Sequence, residues 1–496
     1  MISPALTSGQ AFTVSGLRLL FLLAVGFSLL AFGTPIGLIQ HTVALSFAVI
    51  VAAALILVRA PMSSETALVF RTACGLCTLL FLVGAIQGMT VEVGSLAHPI
   101  WERAGEALGP LQGAISVYPE GTRRALVTLC LPFIVFVAAL LLFNDDQSAL
   151  RLWRWLAIFG VVMAVLGIVQ HQITPDRILG LVSSTYADSV VGTFPNRNTA
   201  STFFGLSAIL LAGLTLLGLH DKNIASLDGL LDGTKRHQDG QFLAIYLPAI
   251  GTALLLLALF LTRSRGGILA TLIGLAVFMA IMIYRALVRR YGKRYAIGMA
   301  LAAPVTIFLV FFLLGGRSID RLLASGVDEL RLCAYGSTYR AFLDNLLIGT
   351  GLGTFDVTFP IYRDARCLGL EGLWNRAHSV FLEGFLGLGV VLAPVLAVAY
   401  AVIVRSFLIG LGRRRRFRFA AAAGLGGLVL VTLHSMVDFS IQIPGFAIFF
   451  AAFLAASLNL SLGRQKVRSR STPEAGAEEA GEGTPETGEG DRPAPA

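Results

Sequence analysis

Two arginines, Arg263 and Arg265, stand between two long apolar segments in the stretch Thr-Arg-Ser-Arg-Gly-Gly (262–267). Two guanidiniums are a costly way to link apolar segments at a membrane boundary, and the following glycines let another group approach the backbone closely. Arginine suits bidentate phosphate recognition, whereas lysine acts as a point charge. The pattern favours a phosphate-binding turn. The alternative is that both side chains only reach the membrane interface.

A long loop, from about residue 316 to 377, holds a second set of candidates. It contains Arg331, Arg340 and Arg376, and His378 follows its end. With an ordinary pKa near 6.5, a histidine can act as a general base at neutral pH. A lone histidine at such a boundary is more often a structural hydrogen-bond donor, so both interpretations of His378 stay open.

Two shorter segments also concentrate polar residues. Candidate binding side chains in the stretch Gly-Thr-Phe-Pro-Asn-Arg-Asn (192–198) are Asn196, Arg197 and Asn198. In the stretch 433–442, His434 and Asp438 are one helical turn apart, a spacing at which two side chains on one helix face each other. We expect these two to form a structural pair.

The composition assigns these candidates to a membrane protein. Apolar residues make up 56% of the 496 positions and charged residues only 14%, against about one quarter charged in soluble proteins. Within lipid only helices and closed barrels satisfy their backbone hydrogen bonds, and long uniform apolar runs exclude the alternating pattern of a barrel. We predict an all-α integral membrane protein with about 12 transmembrane helices of about 20 residues each.

The apolar runs give the predicted spans. They cover residues 16–33, 36–58, 66–87, 124–143, 152–170, 199–219, 242–262, 266–284, 296–315, 378–404, 419–436 and 445–462. The first run is too long for a signal-peptide core and no small-residue cleavage site follows it, so we expect it to be retained.

Positive charge sets the predicted orientation. Basic clusters at 289–294, 413–416 and 464–470 follow the eighth, tenth and twelfth spans, and cytoplasmic loops carry an excess of Lys and Arg. An even number of spans then puts both termini in the cytoplasm and all the candidate segments on the periplasmic side. Nothing in this charge pattern indicates nucleic-acid binding.

The predicted organisation has three parts. A cytoplasmic N-terminus (1–15) precedes a polytopic transmembrane domain (16–462), whose large periplasmic loop is 316–377. A cytoplasmic tail (463–496) is first basic and then acidic. Because the tail is rich in Glu, Gly, Pro and Ala, it cannot bury a core, and we predict that it is disordered.

Inside the large loop, apolar residues recur at helical spacing from about 317 to 347, which predicts a helix across the outer membrane surface. The Gly-rich stretch 349–355 lacks a following Lys-Ser/Thr and is predicted to be a turn rather than a phosphate-cradling loop. Cys333 and Cys367 both lie in this loop, where an oxidising compartment would allow a disulfide. Cys74 and Cys77 are expected to be apolar core residues.

Taken together, these motifs resemble those of the O-antigen ligase/polymerase family. In chain order they are SVYPEGT (116–122), GTFPNRN (192–198), TRSRGG (262–267), Arg331 ahead of LIGTGLGTF (347–355), AHSVFLEGFLGLG (377–389) and LHSMVDFSIQIP (433–444). The likeness extends from about residue 110 to 460. Each motif is loose by itself, and the specificity comes from their order and their common side of the membrane.

The resemblance implies a GT-C-like glycosyltransferase of the bacterial inner membrane. Such enzymes need no metal or other cofactor. They move a glycan from undecaprenyl pyrophosphate to a glycan or lipid-linked acceptor with inversion, in O-antigen or exopolysaccharide assembly. By this likeness Arg265 and Arg331 hold the pyrophosphate and His378 is the base for the acceptor hydroxyl. Other polysaccharide-assembly proteins are expected partners, besides membrane lipid.

One departure bears on the reaction. Ligases of the family often continue the histidine motif into Gly-x-x-Gly, whereas here Gly389 is followed by Val390, Val391 and Leu392. The missing second glycine favours a polymerase over a ligase without deciding between them. The alternative class, a lipid-linked glycan flippase or transporter, predicts charges at mid-membrane depth and related halves. The sequence has few such charges and no convincing repeat.

Overall fold

A computed structural model describes residues 8–34, 37–58, 62–94, 96–221, 242–314, 326–364 and 374–463. In these ranges nearly all regular structure is helical. The α-helices are α1 (Ser8–Leu30), α2 (Leu38–Leu57), α3 (Ser64–Gln87), α4 (Ile100–Leu108), α5 (Pro119–Leu142), α6 (Asp146–Ile173), α7 (Arg197–Asp221), α8 (Leu247–Leu261), α9 (Arg265–Tyr291), α10 (Lys293–Leu314), α11 (Gly326–Asp344), α12 (Phe355–Tyr362), α13 (Val380–Leu388), α14 (Leu392–Arg413), α15 (Arg418–Ser435) and α16 (Pro444–Leu462).

Short pieces of other structure complete the described chain. Two small antiparallel hairpins pair β1 (Thr90–Val91) with β2 (Gly113–Ala114), and β3 (Arg177–Ile178) with β4 (Val182–Ser183). A π-helical turn (Phe242–Tyr246) leads into α8, and 3-10 turns cover Gly389–Val391 and Ser440–Gln442. The protein is therefore all-α in character, as predicted.

Eleven segments of the described chain are long and apolar enough to cross a membrane. They coincide with eleven of the predicted spans, and α10 covers the other, predicted at 296–315. The fold-class prediction of a polytopic α-helical membrane protein is confirmed.

The predicted span 378–404 has an interruption that the sequence analysis missed. It consists of α13 and α14 with a 3-10 turn between them. Gly389 opens that turn with φ of 61°, and a Cβ there would lie 2.5 Å from the Leu347 carbonyl oxygen. The helix therefore breaks at Gly389, where the absence of a side chain lets the backbone of the large loop approach closely.

The last helix, α16, forms the centre of the bundle. All of its residues are buried, and α7 and α15 are the next most buried spans. A helix that is apolar on every side is expected to pack inside others. Its one amide, Asn459, donates from Nδ2 to the carbonyls of Leu140 (3.2 Å) and Phe143 (2.7 Å), which satisfies acceptors that the end of α5 leaves without a helical partner.

Small residues bring α9 and α15 into close contact. A Cβ on Gly274 would lie 2.7 Å from the Gly426 carbonyl, and one on Gly426 would lie 2.6 Å from the Gly274 carbonyl. Such glycine contacts are a usual way to pack helices tightly where lipid removes the hydrophobic drive. The packing fixes α9, whose first residue is Arg265.

The large loop agrees with its prediction where it is described. The helix expected over 317–347 is observed as α11, which ends at Asp344. The part of that prediction from 317 to 325 lies outside the described residues. The Gly-rich stretch is a turn, with positive φ at Gly349, Gly351 and Gly353. Residues 464–496 also lie outside the described residues, so the disordered tail stays a prediction.

The helix ends that carry the sequence motifs lie on one face of the bundle. Hydrogen bonds join them directly: Val117 N–H to Thr350 O (3.0 Å), Val190 N–H to Leu261 O (3.0 Å) and Gly445 N–H to Gly33 O (2.9 Å). We call this the motif face, and the face at the other ends of the same helices the opposite face.

Candidate functional site

The arginine turn consists of one left-handed residue and a capped helix. Arg263 has φ of 54°, and the Ser264 side-chain oxygen then accepts the Gly267 N–H at 3.4 Å as the cap of α9. Arg265 is the first residue of that helix, with an exposed side chain. A cation at a helix N-terminus is unfavourable by itself, whereas an anion there is favourable. The placement of Arg265 therefore suits a site that binds an anion.

Arg263 and Arg197 meet at the same acid. Arg263 Nη1 lies 3.0 Å from Asp188 Oδ2, with 62% and 58% of the two side chains exposed, and Arg197 lies over the Tyr186 ring at 5.3 Å. A hydrogen bond from Ser189, helped by the charges of Arg263 and Arg197, holds the pKa of Asp188 below its usual value. So exposed a pair adds at most about 1 kcal/mol of stability and can open to a ligand.

Asn198 joins three motifs. Its Nδ2 donates to Asp438 Oδ1 at 2.8 Å, and its Oδ1 accepts the Ser264 hydroxyl at 2.8 Å. Its own N–H donates to Asn196 Oδ1 at 2.7 Å. Both predicted asparagines are thus engaged within the protein, and they hold the 192–198 segment against the arginine turn.

His434 and Asp438 do not hydrogen-bond to each other, contrary to the expected pair. His434 Nδ1 lies 2.6 Å from Thr202 Oγ1, which lies 3.1 Å from Ser440 Oγ. The Ser440 hydroxyl donates to the Asp438 carboxylate, which is fully buried. The chain turns after Ser435, so a spacing that assumes one continuous helix misjudged the geometry.

His378 is held in a strained conformation just outside α13. Its φ is 55°, a region that costs a non-glycine residue about 1–3 kcal/mol and that clusters at functional sites. The Tyr335 hydroxyl donates to its carbonyl at 3.0 Å. Its ring meets Trp374 and Phe439 edge-on, with centroids 5.3 Å and 5.1 Å away. Its buried Nδ1 has no hydrogen-bond partner among the described residues.

The electrostatic surroundings keep His378 neutral. Burial, followed by the nearby charge of Arg331, lowers the pKa of His378 to about 4, while Asp438 acts in the opposite direction. Arg331 is half-buried, and its charge also reaches His434. At neutral pH His378 therefore has a free lone pair with which to accept a proton.

These contacts form a continuous path across the motif face. Arg265 follows Ser264, which is bonded to Asn198, which is bonded to Asp438. Phe439, next in sequence to Asp438, touches His378. The structure thus brings the three shorter motifs and the end of the large loop together. Arg331 is close enough to this path for its charge to lower the pKa of His378.

Two predicted binding arginines are engaged elsewhere. Arg376 Nη1 lies 2.9 Å from Glu383 Oε1. Arg340 Nη1 lies 3.3 Å from Asp364 Oδ2, and its Nη2 donates to Ser337 Oγ at 3.3 Å. Arg340 connects two parts of the large loop, and Arg376 connects the end of that loop to α13.

The Gly-rich turn is fixed by groups from two other segments. The Gln87 side chain donates to the carbonyls of Ile348 (2.7 Å) and Gly387 (2.8 Å), and it accepts the Leu352 N–H at 3.3 Å. The Thr122 hydroxyl, from the 116–122 motif, donates to the Leu352 carbonyl at 3.0 Å. The turn therefore holds the large loop to α3, α5 and α13 and is not aimed at a ligand.

The sequence analysis did not single out Gln87, Thr202, Tyr335 or Glu383. Two of them carried a usable signal, because Gln87 and Glu383 are polar residues inside apolar runs, where such residues are costly and often functional. Thr202 and Tyr335 gave none, since their importance depends on contacts with residues far away in the chain.

The remaining chemical groups of the described chain are metal ligands and cysteines. Within the ranges that the structure covers, no three His, Cys, Asp or Glu side chains come together to hold a metal ion. Cys333 is disulfide-bonded, and Cys367 lies outside the described residues, so the proposed pair stays a prediction. Cys74 and Cys77 are free and half-buried, and Cys74 packs against the main core, as expected of an apolar core residue.

Part of the chain matches a known protein family. Residues 250–397 match the family model described as O-antigen ligase. The match begins within α8 and runs through the arginine turn, α11, the Gly-rich turn and His378 into α14. No curated protein matches the chain.

Proposed function

The chain is a membrane protein of the O-antigen ligase/polymerase family, and on that premise we propose that it moves a glycan from undecaprenyl pyrophosphate to an acceptor hydroxyl. The motif face is then the periplasmic face of the bacterial inner membrane, and both termini are cytoplasmic. The reaction serves O-antigen or exopolysaccharide assembly. The observation that carries the proposal is the path of contacts from the arginine turn to His378.

Arg265 and Arg331 bind the pyrophosphate in this proposal. Arg265 begins α9 directly after Ser264 of the joined motifs, and the charge of Arg331 reaches both His378 and His434. Guanidiniums fixed before the reaction stabilise the charge that develops on the leaving pyrophosphate. Arg197 and Arg263 lie next along the face, with Asp188 between them, and extend the positive surface toward the glycan.

His378 takes the proton from the acceptor. The acceptor oxygen forms a bond to the anomeric carbon as the bond from that carbon to the pyrophosphate breaks, so the configuration inverts. The acceptor proton passes to an imidazole nitrogen of His378, and the pyrophosphate leaves as an anion with the bonding electron pair. A single positioned base suffices because the leaving group is good once its charge is neutralised.

Donor binding would also strengthen the base. Arg331 lowers the pKa of His378 in the empty site, and a bound pyrophosphate would neutralise that guanidinium. The pKa of His378 would then rise toward its ordinary value, because a nearby anion favours the imidazolium. A bound donor would therefore make His378 a stronger base than it is in the empty site, although burial, the larger cause of its low pKa, would remain.

The missing glycine at Leu392 favours polymerisation over ligation. Leu392 begins α14 directly after the 3-10 turn, and its side chain approaches Gly384. Since polymerases and ligases share the scaffold, only the product separates them.

The test is the surface polysaccharide of a strain whose own copy is deleted, complemented with wild type, His378→Ala or Arg415→Ala. Arg415 is an exposed arginine of the opposite face, so Arg415→Ala should restore the wild-type profile. With His378→Ala, loss of long chains while single repeat units still reach their acceptor indicates a polymerase. Accumulation of unattached lipid-linked polymer indicates a ligase. A wild-type profile from His378→Ala would contradict the proposal.

A further inference from the structure

We propose that Glu383 and Arg376 are a positioning pair for His378, and that Arg376 acts through this pair instead of contacting the substrate. The inference rests on the proposed role of His378 as base. It assigns a role to the buried carboxylate of Glu383, which does not take part in the reaction itself. It also replaces the substrate-binding role that the sequence predicted for Arg376.

One carboxylate holds the two residues directly before the histidine. Glu383 Oε1 accepts Arg376 Nη1 at 2.9 Å, and Glu383 Oε2 accepts the Ala377 N–H at 3.0 Å. Its side chain is only 7% exposed. Both oxygens are therefore committed to the backbone and side chain of the segment that delivers His378.

His378 needs such restraint because its backbone is in the left-handed region, which a non-glycine residue leaves unless its neighbours hold it. On its C-terminal side, the Ser379 side chain caps α13 by accepting the Leu382 N–H at 3.4 Å. The Tyr335 hydroxyl fixes its carbonyl. Glu383 supplies the restraint on the N-terminal side, from the first turn of the same helix that Ser379 caps.

A purely structural reason for Glu383 is weak. A carboxylate at the start of an apolar helix must be desolvated, and its attraction to one arginine often does no more than balance that cost. An apolar residue at 383 would avoid that cost, but it would leave the buried Ala377 N–H without its acceptor. The acid is useful because it reaches both the Ala377 N–H and Arg376 at once, which fixes the direction in which the chain enters His378.

Kinetics of the reconstituted full-length protein test the pair, with undecaprenyl-pyrophosphate glycan extracted from the producing strain as donor. Glu383→Gln keeps one oxygen as an acceptor and loses the ion pair. We expect kcat to fall about tenfold, and about a hundredfold for Glu383→Ala, because a small misplacement of a reacting group has effects of that size. The KM for the donor should stay within about twofold, since Arg265 and Arg331 hold the donor and neither touches the pair.

The pH profile gives a reading that a general loss of stability would not produce. The charges of Arg331 and Asp438 act on His378, and Tyr335 of α11 donates to its carbonyl. Arg376 stands two residues before it in the chain, bonded to Glu383. Loosening the segment admits water to the ring and reduces its desolvation. The acid limb of kcat/KM should therefore move to higher pH in Glu383→Gln than in wild type.

Glu65→Gln is the matched control. Glu65 also pairs with an arginine, Arg405, at 2.6 Å, and its side chain is 18% exposed. Glu65 lies near the start of α3, and Gln87, at the other end of this helix, contacts the Gly-rich turn. At 1.5 Å per helical residue, Glu65 is about 33 Å from Gln87 along the helix. The control should keep the wild-type kcat, KM and pH profile.

Each outcome decides the matter. Wild-type kcat and pH profile in Glu383→Gln, with His378→Ala inactive, would overturn the pair and leave the proposed function intact. Full activity of His378→Ala would remove the proposed base and the pair together. If Glu383→Gln does not accumulate, Arg376→Gln takes its place, since it leaves the Ala377 contact. A lower kcat at constant donor KM then supports the pair, and a raised donor KM with unchanged kcat would show that Arg376 binds substrate.

Discussion

Arginines on the two faces of the bundle have different surroundings. Those of the opposite face join helix ends through ion pairs: Arg18 with Asp145 (3.3 Å), Arg405 with Glu65 (2.6 Å), Arg414 with Asp146 (2.5 Å) and Arg416 with Asp221 (2.8 Å). On the motif face, Arg331 has no ion pair or hydrogen bond with the described residues, although it is half-buried beside His378.

The comparison shows that charge on a face does not identify a site by itself. Arg263, Arg340 and Arg376 lie on the motif face and are paired with acids. The arginines that distinguish the site are Arg331, whose charge lowers the pKa of His378, and Arg265, which begins α9 at a helix N-terminus, where an anion is favourable. Variants of the two faces should therefore separate activity from stability.

The largest expected effect on activity is that of Arg331→Ala. Removing a fixed group that stabilises developing charge lowers kcat by about 100-fold to 1000-fold. Arg331→Lys should recover only part of the loss, because lysine lacks the planar fork that binds phosphate in a bidentate manner. Initial rates in proteoliposomes measure both. Arg415→Ala is the control, and an equal loss in that variant would end the distinction between the faces.

The pH dependence sharpens the comparison further. The base must be neutral, so activity falls as pH drops through its pKa, which burial and Arg331 lower to about 4 in the empty site. Between pH 7 and pH 5, kcat/KM should change little, whereas a base with the ordinary histidine pKa near 6.5 would lose about 25-fold over the same interval. A midpoint near 6.5 in a kcat/KM profile would contradict the buried environment of His378.

Arg414→Ala should affect stability rather than chemistry. The Arg414 side chain is 6% exposed and binds both Asp146 and the Gly463 carbonyl, the latter at 2.7 Å. Its removal takes away hydrogen bonds of a charged group, while Asp146, whose side chain is 36% exposed, stays in contact with solvent. The free energy of unfolding should fall by about 2 kcal/mol. Thermal denaturation in detergent measures this change. The rate per folded molecule should stay at the wild-type value, and a selective loss of kcat would argue against a purely structural opposite face.

Arg263→Ala has the smallest expected effect. Because Arg263 and Asp188 are both more than half exposed, their pair is worth at most about 1 kcal/mol. The denaturation midpoint should hardly move and activity should fall by less than about fivefold, which corresponds to the same energy. Titration of initial rate against donor concentration tests this, and a loss as large as that of Arg331→Ala would make Arg263 a main pyrophosphate ligand.

The sequence predicted the bundle well because its signal is local. Each apolar run long enough to span a membrane is a helix, and the Gly-rich stretch is a turn. The break at Gly389 was missed because apolar residues continue through it. Its cause is the passing backbone of the large loop, which lies some forty residues earlier in the chain.

The candidate site was predictable as a set of residues and less so as a geometry. Chain order placed the motifs on one face, and the structure brings Asn198, Ser264, Asp438 and His378 into one path. The sequence could not assign partners within that set. Asn198 looked like a ligand-binding residue and holds Asp438, while His434 was expected to meet Asp438 and meets Thr202.

Glycan transfer by the purified protein in proteoliposomes tests the central claim most directly. The donor is undecaprenyl-pyrophosphate glycan from the producing strain, and the product is followed by chain length and by release of undecaprenyl pyrophosphate. We predict that wild type and Arg415→Ala transfer glycan, and that His378→Ala, folded to the same extent, releases almost none. Transfer at the wild-type rate by His378→Ala would contradict the account of the site.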